Sequence, residues 1–445
     1  MRRPHKVEVA IVTSKDIPED LREEFEEVRK TSLAAALEVV LDYLLSNLEF
    51  YTVTQDRFAR DRGLMFTFSA SDEEWQVVKI MEEDALTLSE LCTWDGRVFI
   101  TEGDTTREAE EQLSKYTLPA SEAPLEWKRD YRMMLKGGNV RKYVPQWSPY
   151  NEDSKLIRVN ALRSELPSAP RLLIKDYASE PTVAVDLKCE YGCLRTVYVA
   201  YPNPAKFEEA AGYEVDAKAL CLYVAAVLNS RLMKFWYLAR FYTTRMGRGN
   251  FRFRTQFIGM APIKAPAKDR FERIVKLARH IIALKRAAYL VKDRIDSFPS
   301  SYIPPGTAMV KIAFLTKRTD RKGRRKRCRF KDARLSGPVL IFGDKSYIKI
   351  EFEHEEHARF VYEVLRRAKE VKYDDLMRME VPRSPDDARH ALGELKENEK
   401  RLKNLENKIR SLQEQINEEV FKIYIPPDIR AKAVKAIETL LKRCL

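Results

Sequence analysis

Glycine and cysteine are scarce in this chain, 15 and 6 residues of 445, and no apolar run approaches the roughly 18 residues that a membrane span needs. Residues 1–13 hold an apolar stretch of only about six residues broken by charge, which does not read as a signal peptide. A cytoplasmic location is therefore expected. Cys92, Cys189, Cys193, Cys221, Cys328 and Cys444 are scattered, which argues against a disulfide framework and for reduced thiols. Cys189 and Cys193 have three residues between them and no second pair downstream. They read as small, half-buried strand residues rather than zinc ligands.

Motifs that carry chemistry are also missing. The chain has no glycine-rich phosphate loop after a strand, no Gly-x-Ser-x-Gly and no His-Glu-x-x-His. Tyr201-Pro-Asn-Pro-Ala205 comes near Asn-Pro-Pro-Tyr but lacks the aromatic that stacks on a flipped base. His354 and His357 are one helical turn apart and read as the start of a surface helix rather than a metal site. Neither a metal nor a cofactor of its own is expected of the chain.

Charge and apolar bulk are present in quantity. With 44% hydrophobic residues over this length, the chain can bury real cores and form two to four domains. Its 80 Lys and Arg exceed its 67 Asp and Glu, for a net charge of +13, which favours a polyanionic partner and steers encounter with it. Abundant charge with few Asn and Gln also suits a heat-adapted, thermophile-like protein.

The patterning predicts an α+β, multidomain chain. Residues 6–13 read as a strand and 19–48 as helix, with short strands at 51–54 and 64–68 and a helix from Asp72. A polar, proline-bearing stretch then marks a boundary near 125. Residues 126–303 carry a mixed sheet with strands at 172–175, 182–185 and 195–201, then helices over 216–241 and 269–298. Residues 304–380 read as a small β-rich module with strands near 309–315, 338–342 and 347–352 and a following helix. In 381–445 a charged helix spaces Leu395, Leu402, Ile409, Ile416 and Ile423 seven apart, with Asn398, Leu405 and Leu412 between. That spacing predicts a coiled coil or a long antiparallel hairpin.

Three segments bear groups suited to a polyanion. From Lys317 to Arg329, nine of thirteen residues are Lys or Arg, placed between strands as a hairpin tip. Lys317, Arg318, Arg321, Lys322, Arg324, Arg325, Lys326 and Arg327 repel one another until phosphates neutralise them. Such contacts supply affinity rather than base choice, and a solvated loop is the alternative. In the second segment, Gly247 and Gly249 allow close backbone approach, and Arg245, Arg248, Arg252 and Arg254 surround them. Arginine suits guanine O6 and N7 or a phosphate, and Asn250 suits adenine. The alternative is an ordinary loop whose Phe251 and Phe253 enter the core while the arginines cover the surface. The third segment, with Lys136, Asn139, Arg141 and Lys142 around two glycines, repeats this mixture or is an ordinary turn.

Residues 220–266 contain Leu228-Asn-Ser-Arg-Leu232, Gly249-Asn-Phe-Arg-Phe253 and a Pro262-Ile-x-x-Pro close. They resemble the target-recognition region of TaqI-like DNA adenine methyltransferases and related fused restriction-modification enzymes. Leu135–Tyr143, Pro170–Lys175 and Leu412–Tyr424 are similar to other parts of that region and to the helical ending such proteins share. The similarity covers about residues 126–300 and 385–430. It implies that the loops 136–142 and 245–254 meet double-stranded DNA and that the tail helices contact a partner or pack back. In that family, the recognition region follows a domain that binds S-adenosylmethionine and carries Asn-Pro-Pro-Tyr. Neither is present here, so the resemblance implies a separate catalytic methyltransferase subunit that holds the S-adenosylmethionine.

The expectation is a non-enzymatic DNA-specificity subunit of a split restriction-modification or phage-defence system, with self-association through the tail as a further expectation. A non-catalytic, DNA-binding scaffold of a defence complex is the competing reading. A nuclease would need a carboxylate and lysine cluster around a metal, and Glu351, Glu353 and His354 are the only group that suggests one.

Overall fold

The computed structural model describes residues 6–9, 23, 27, 32, 51–54, 70–95, 113–124, 126–148, 153–161, 169–194, 196–242, 245–246, 250–321, 327–343 and 347–444. Apart from Glu23, Glu27 and Ser32, the expected helix over 19–48 lies outside them, as does the strand expected at 64–68. The architecture is mixed α and β, with several small sheets and one helix of 40 residues. Two compact units emerge, residues 1–282 with 412–445 and residues 283–411.

In the first unit, helix α1 (Asp72–Glu82) starts at a reciprocal cap. The Glu74 backbone N–H donates to Ser71 Oγ at 3.3 Å, and Glu74 Oε2 accepts from the Ser71 N–H at 2.7 Å. Helix α2 (Pro204–Ala211) is capped by Asn203, whose Oδ1 accepts from the Ala205 N–H at 3.0 Å. Asn203 in the Tyr201-Pro-Asn-Pro stretch is therefore a helix cap.

The expected single helix over 216–241 is two, α3 (Ala217–Leu228) and α4 (Arg231–Phe241). The break has a local cause. Asn229 accepts from the Val183 N–H at 2.9 Å and donates to the Val183 carbonyl at 2.8 Å, so its amide closes a sheet edge as a backbone would. Ser230 then caps α4 by accepting from the Met233 N–H. Apolar periodicity runs through both helices because both are buried nearly all round, which hides the interruption.

The sheet beneath them has the order Val183–Asp186, Arg171–Lys175, Val197–Pro202, Cys92–Asp95, all antiparallel. Arg171 and Asp186 lie opposite each other and form a buried ion pair at 2.8 Å. A second sheet orders Tyr191–Cys193, Tyr131–Leu135, Lys155–Arg158, Thr117–Pro119, with its first pair parallel. A third, small sheet orders Arg245–Met246, Asn250–Arg252, Tyr177–Ala178. The strand Lys6–Val9 pairs with Tyr51–Thr54.

Helix α5 (Lys268–Asp296) carries the chain into the second unit. There an antiparallel sheet orders Thr316–Arg321, Ile348–Phe352, Val339–Phe342, Ala333–Ser336. Its buried residues Leu340, Phe342, Ile348, Ile350 and Phe352 belong to one core with Phe360, Val361, Val364 and Leu365 of helix α6 (Glu355–Ala368). The strand expected at 309–315 ends at Lys311, after which Ile312–Phe314 forms a single 3-10 turn.

Helix α7 (Pro385–Tyr424) returns the chain to the first unit and α8 (Arg430–Cys444) ends it. Within the second unit α7 meets α5 through Arg294–Glu394 at 3.1 Å. Within the first, Glu419 of α7 accepts Arg270 and Arg273 of α5 at 3.8 and 3.5 Å. Leu395 and Ile416 are buried and the other heptad positions half-buried, with Leu395 in the core of the second unit and Leu402 and Leu405 packed against it.

Candidate nucleic-acid interface

The loop that follows Tyr131–Leu135 is closed by its own amides. Asn139 Oδ1 accepts from the Lys136 N–H at 2.9 Å, and Asn139 Nδ2 donates to the Gln146 carbonyl at 3.1 Å. Buried Tyr143, at φ 72°, is stitched to the sheet edge by its N–H on the Val183 carbonyl at 2.7 Å and its carbonyl under the Val185 N–H. Gly137 sits against Thr196, where an added Cβ would stand 3.0 Å from the Thr196 carbonyl oxygen. Its N–H donates to Thr196 Oγ1 at 2.9 Å.

These bonds leave Lys136 and Arg141 exposed. Lys142 is engaged internally, on Glu180 at 3.0 Å and the Asn229 carbonyl at 3.2 Å. Asn139 braces the loop rather than facing outward.

The second segment is held by aromatic packing. Phe251 and Phe253 are buried against Tyr237, with ring centroids 6.3 and 4.4 Å away. Strand alternation therefore turns Arg252 and Arg254 outward, and both are exposed. Asn250 is half-buried opposite Met246. Arg245 pairs with Phe251 through its backbone, and Arg248 lies outside the described residues. Core phenylalanines and surface arginines thus alternate over Phe251–Arg254, the strand end and the residues just after it.

Both segments converge on Lys175-Asp176-Tyr177. Thr196 joins them, because the N–H of Asp176 donates to its carbonyl at 3.1 Å while Gly137 uses its hydroxyl. Asp176 accepts Arg252 Nε at 3.3 Å and the Tyr198 hydroxyl at 3.1 Å. Burial, then the Asp176 carboxylate, push the Tyr198 hydroxyl up to about 12, opposed by Arg252 and Arg254. Burial and the neighbouring charge of Arg141 pull Lys175 below the ordinary lysine range. Tyr177 is 42% exposed and lies opposite Arg252 in the strand pair. The outcome is a surface carrying Arg141, Lys175, Arg252 and Arg254 with an aromatic among them.

Sequence patterning singled out Arg141, Arg252 and Arg254 but assigned no role to Lys175, Asp176, Tyr177, Thr196 or Tyr198. Lys175 ends a recognisable strand. The others act through long-range contacts that have no local signal.

In the second unit, the strands flanking the basic segment do not form the expected hairpin. Thr316–Arg321 pairs with Ile348–Phe352, whereas Arg327–Arg329 pairs with Glu370–Lys372. Lys317, Arg318 and Arg321 are exposed on an edge strand, and Arg321 lies over the Tyr373 ring at 5.0 Å. Arg327 and Arg329 share Glu370, and these bonds hold its carboxyl below the usual range. Lys322, Arg324, Arg325 and Lys326 lie outside the described residues.

The expected surface helix at His354 is half inside the core. His354 precedes α6, whereas His357 is fully buried with Nε2 3.1 Å from the Pro382 carbonyl. Among the described residues no group of three or more His, Cys, Asp or Glu is able to hold a metal, and no helix is long and apolar enough to cross a membrane.

No protein-family model and no curated protein matches the chain. Among solved structures, it is similar to the HsdS subunit from Thermoanaerobacter tengcongensis, at 10% identity over 76% of this chain and 95% of that one, with a TM-score of 0.27. It is also similar to the type I restriction-modification S subunit from M. genitalium, at 10% identity over 77% and 95%, with a TM-score of 0.31. A structure described for complex assembly and conformational transition of the type I restriction-modification system overlaps at 11% identity over 79% and 96%, with a TM-score of 0.26. These scores are too low to show a shared fold, and the function is read from the residues of this chain.

Proposed function

We propose that this chain is a DNA-sequence-specificity subunit that binds duplex DNA and directs a separate S-adenosylmethionine-dependent adenine methyltransferase in a split restriction-modification or phage-defence system. The observation that carries this reading is the convergence of two basic loops, about a hundred residues apart in sequence, on Lys175-Asp176-Tyr177. The target-recognition resemblance falls on these same loops.

Arg141, Lys175, Lys136 and Arg254 neutralise backbone phosphates, which fixes register and gives affinity without base choice. Arg252 and Tyr177 face the bases. In the second unit, Lys317, Arg318 and the basic residues up to Arg327 add phosphate contacts. The catalytic step belongs to the partner, whose donor site this chain does not supply.

Co-purification from the native source, with methylated adenines mapped in the presence and absence of this chain, tests the proposal. The expected result is a methyltransferase in the complex and loss of methylation at one sequence when the chain is removed. An unchanged methylation pattern overturns it.

A further inference from the structure

Arg252 is held more firmly than Arg141 and Arg254, the exposed arginines beside it. Its backbone is fixed on both sides, since Tyr237 donates its hydroxyl to the Arg252 carbonyl at 3.0 Å and the Phe253 N–H donates to the Asp176 carbonyl at 2.7 Å. Phe251 and Phe253 anchor the flanking positions in the core. The side chain is fixed as well. Asp176, 6% exposed, takes Nε through one carboxylate oxygen, while Tyr198 donates to the other and locks the carboxylate.

Among the described residues, Nη1 and Nη2 of Arg252 take no hydrogen bond, although the side chain is 45% exposed. A guanidinium held by Nε presents its two terminal nitrogens in parallel. That is the geometry in which arginine meets guanine O6 and N7, and a fork already oriented loses less rotamer freedom on contact.

We propose that Arg252 reads a guanine, and that Asp176 and Tyr198 are positioning residues that hold its guanidinium in the reading pose. This rests on the duplex-binding reading above. A carboxylate beneath a DNA-facing surface repels phosphate, and Asp176 is too buried to accept from a cytosine amine instead. Its presence beneath Arg252 is accounted for by orientation.

The test selects duplexes from a randomised pool with the full chain, and with Arg252→Ala, Asp176→Asn and Tyr198→Phe. Wild type is expected to recover a motif, and Arg252→Ala to relax one G·C pair in it by about tenfold or more. Asp176→Asn is expected to relax the same pair while binding random duplex as well as wild type or better, because a negative charge has been removed. Tyr198→Phe is expected to do so more weakly, and it decides the matter if the melting of Asp176→Asn shows that variant unfolded.

Relaxation at a different pair, a uniform loss over all sequences, or unchanged selectivity in the Asp176 and Tyr198 variants overturns the assignment. If wild type recovers no motif, the specificity reading itself fails and this inference fails with it.

Discussion

Between α3 and α4, one amide side chain stands in for a strand. Asn229 satisfies both backbone groups of Val183 in a buried setting. Asn229→Leu leaves the Val183 N–H unpaired, while the Val183 carbonyl keeps the Tyr143 N–H, and the expected cost in denaturant unfolding is about 1–3 kcal/mol, for one buried group without its partner. Gly137 is constrained from outside, by Thr196. Gly137→Ala pushes the loop a few tenths of an ångström away from Thr196, and the expected outcome is weaker duplex binding with a fold that still melts cooperatively.

His357 gives a pH dependence. Burial, with His354 nearby, pulls its imidazole below the ordinary 6.5, against the Pro382 carbonyl, Glu356 and Glu353. The unfolded chain therefore takes up the proton more readily. Stability is whole above the ordinary value and declines as pH falls below it. A melting series from pH 8 to about 5 is expected to show this decline, and His357→Gln to flatten it. In the sequence His357 reads as a surface residue, since one imidazole in a charged helix start does not reveal the packing above it.

Among the elements, the strand Asn250–Arg252 shows how structure and function share a short segment. Phe251 of the strand and Phe253 just past its end fasten to Tyr237, while Arg252 and Arg254 remain outside. Phe253→Ala is expected to cost about 3–5 kcal/mol, as for a buried aromatic, and to abolish selective binding while Arg252 remains in the chain. The sequence made the cations and the inward phenylalanines legible, but the segment reads there as a glycine-bearing loop, and the strand Asn250–Arg252 was not expected. Its partner Tyr177–Ala178 was not legible, because a two-residue strand carries no period. The basic segment at 317–329 was legible as charge but misleading as topology. A cluster between two strands suggests a hairpin, yet each strand finds a partner far along the chain, at Ile348–Phe352 and Glu370–Lys372.

At the scale of the whole molecule, composition predicts behaviour better than arrangement. The compact units divide inside α5 and α7, and the first unit joins residues 1–282 to 412–445. No composition shift marks a boundary within a helix, so a linear reading places its divisions at the loops instead. The net charge of +13 predicts salt-sensitive binding. Lys317→Ala with Arg318→Ala is expected to weaken all duplexes alike and to make the logarithmic salt slope shallower by about two.

The most direct measurement of the central claim is competition binding of the full chain to a duplex bearing the motif it selects and to random duplex, over a series of salt concentrations. The account predicts that both affinities fall with salt while the preference for the motif persists at about a hundredfold or more. Equal affinity for both duplexes at every salt concentration would contradict it.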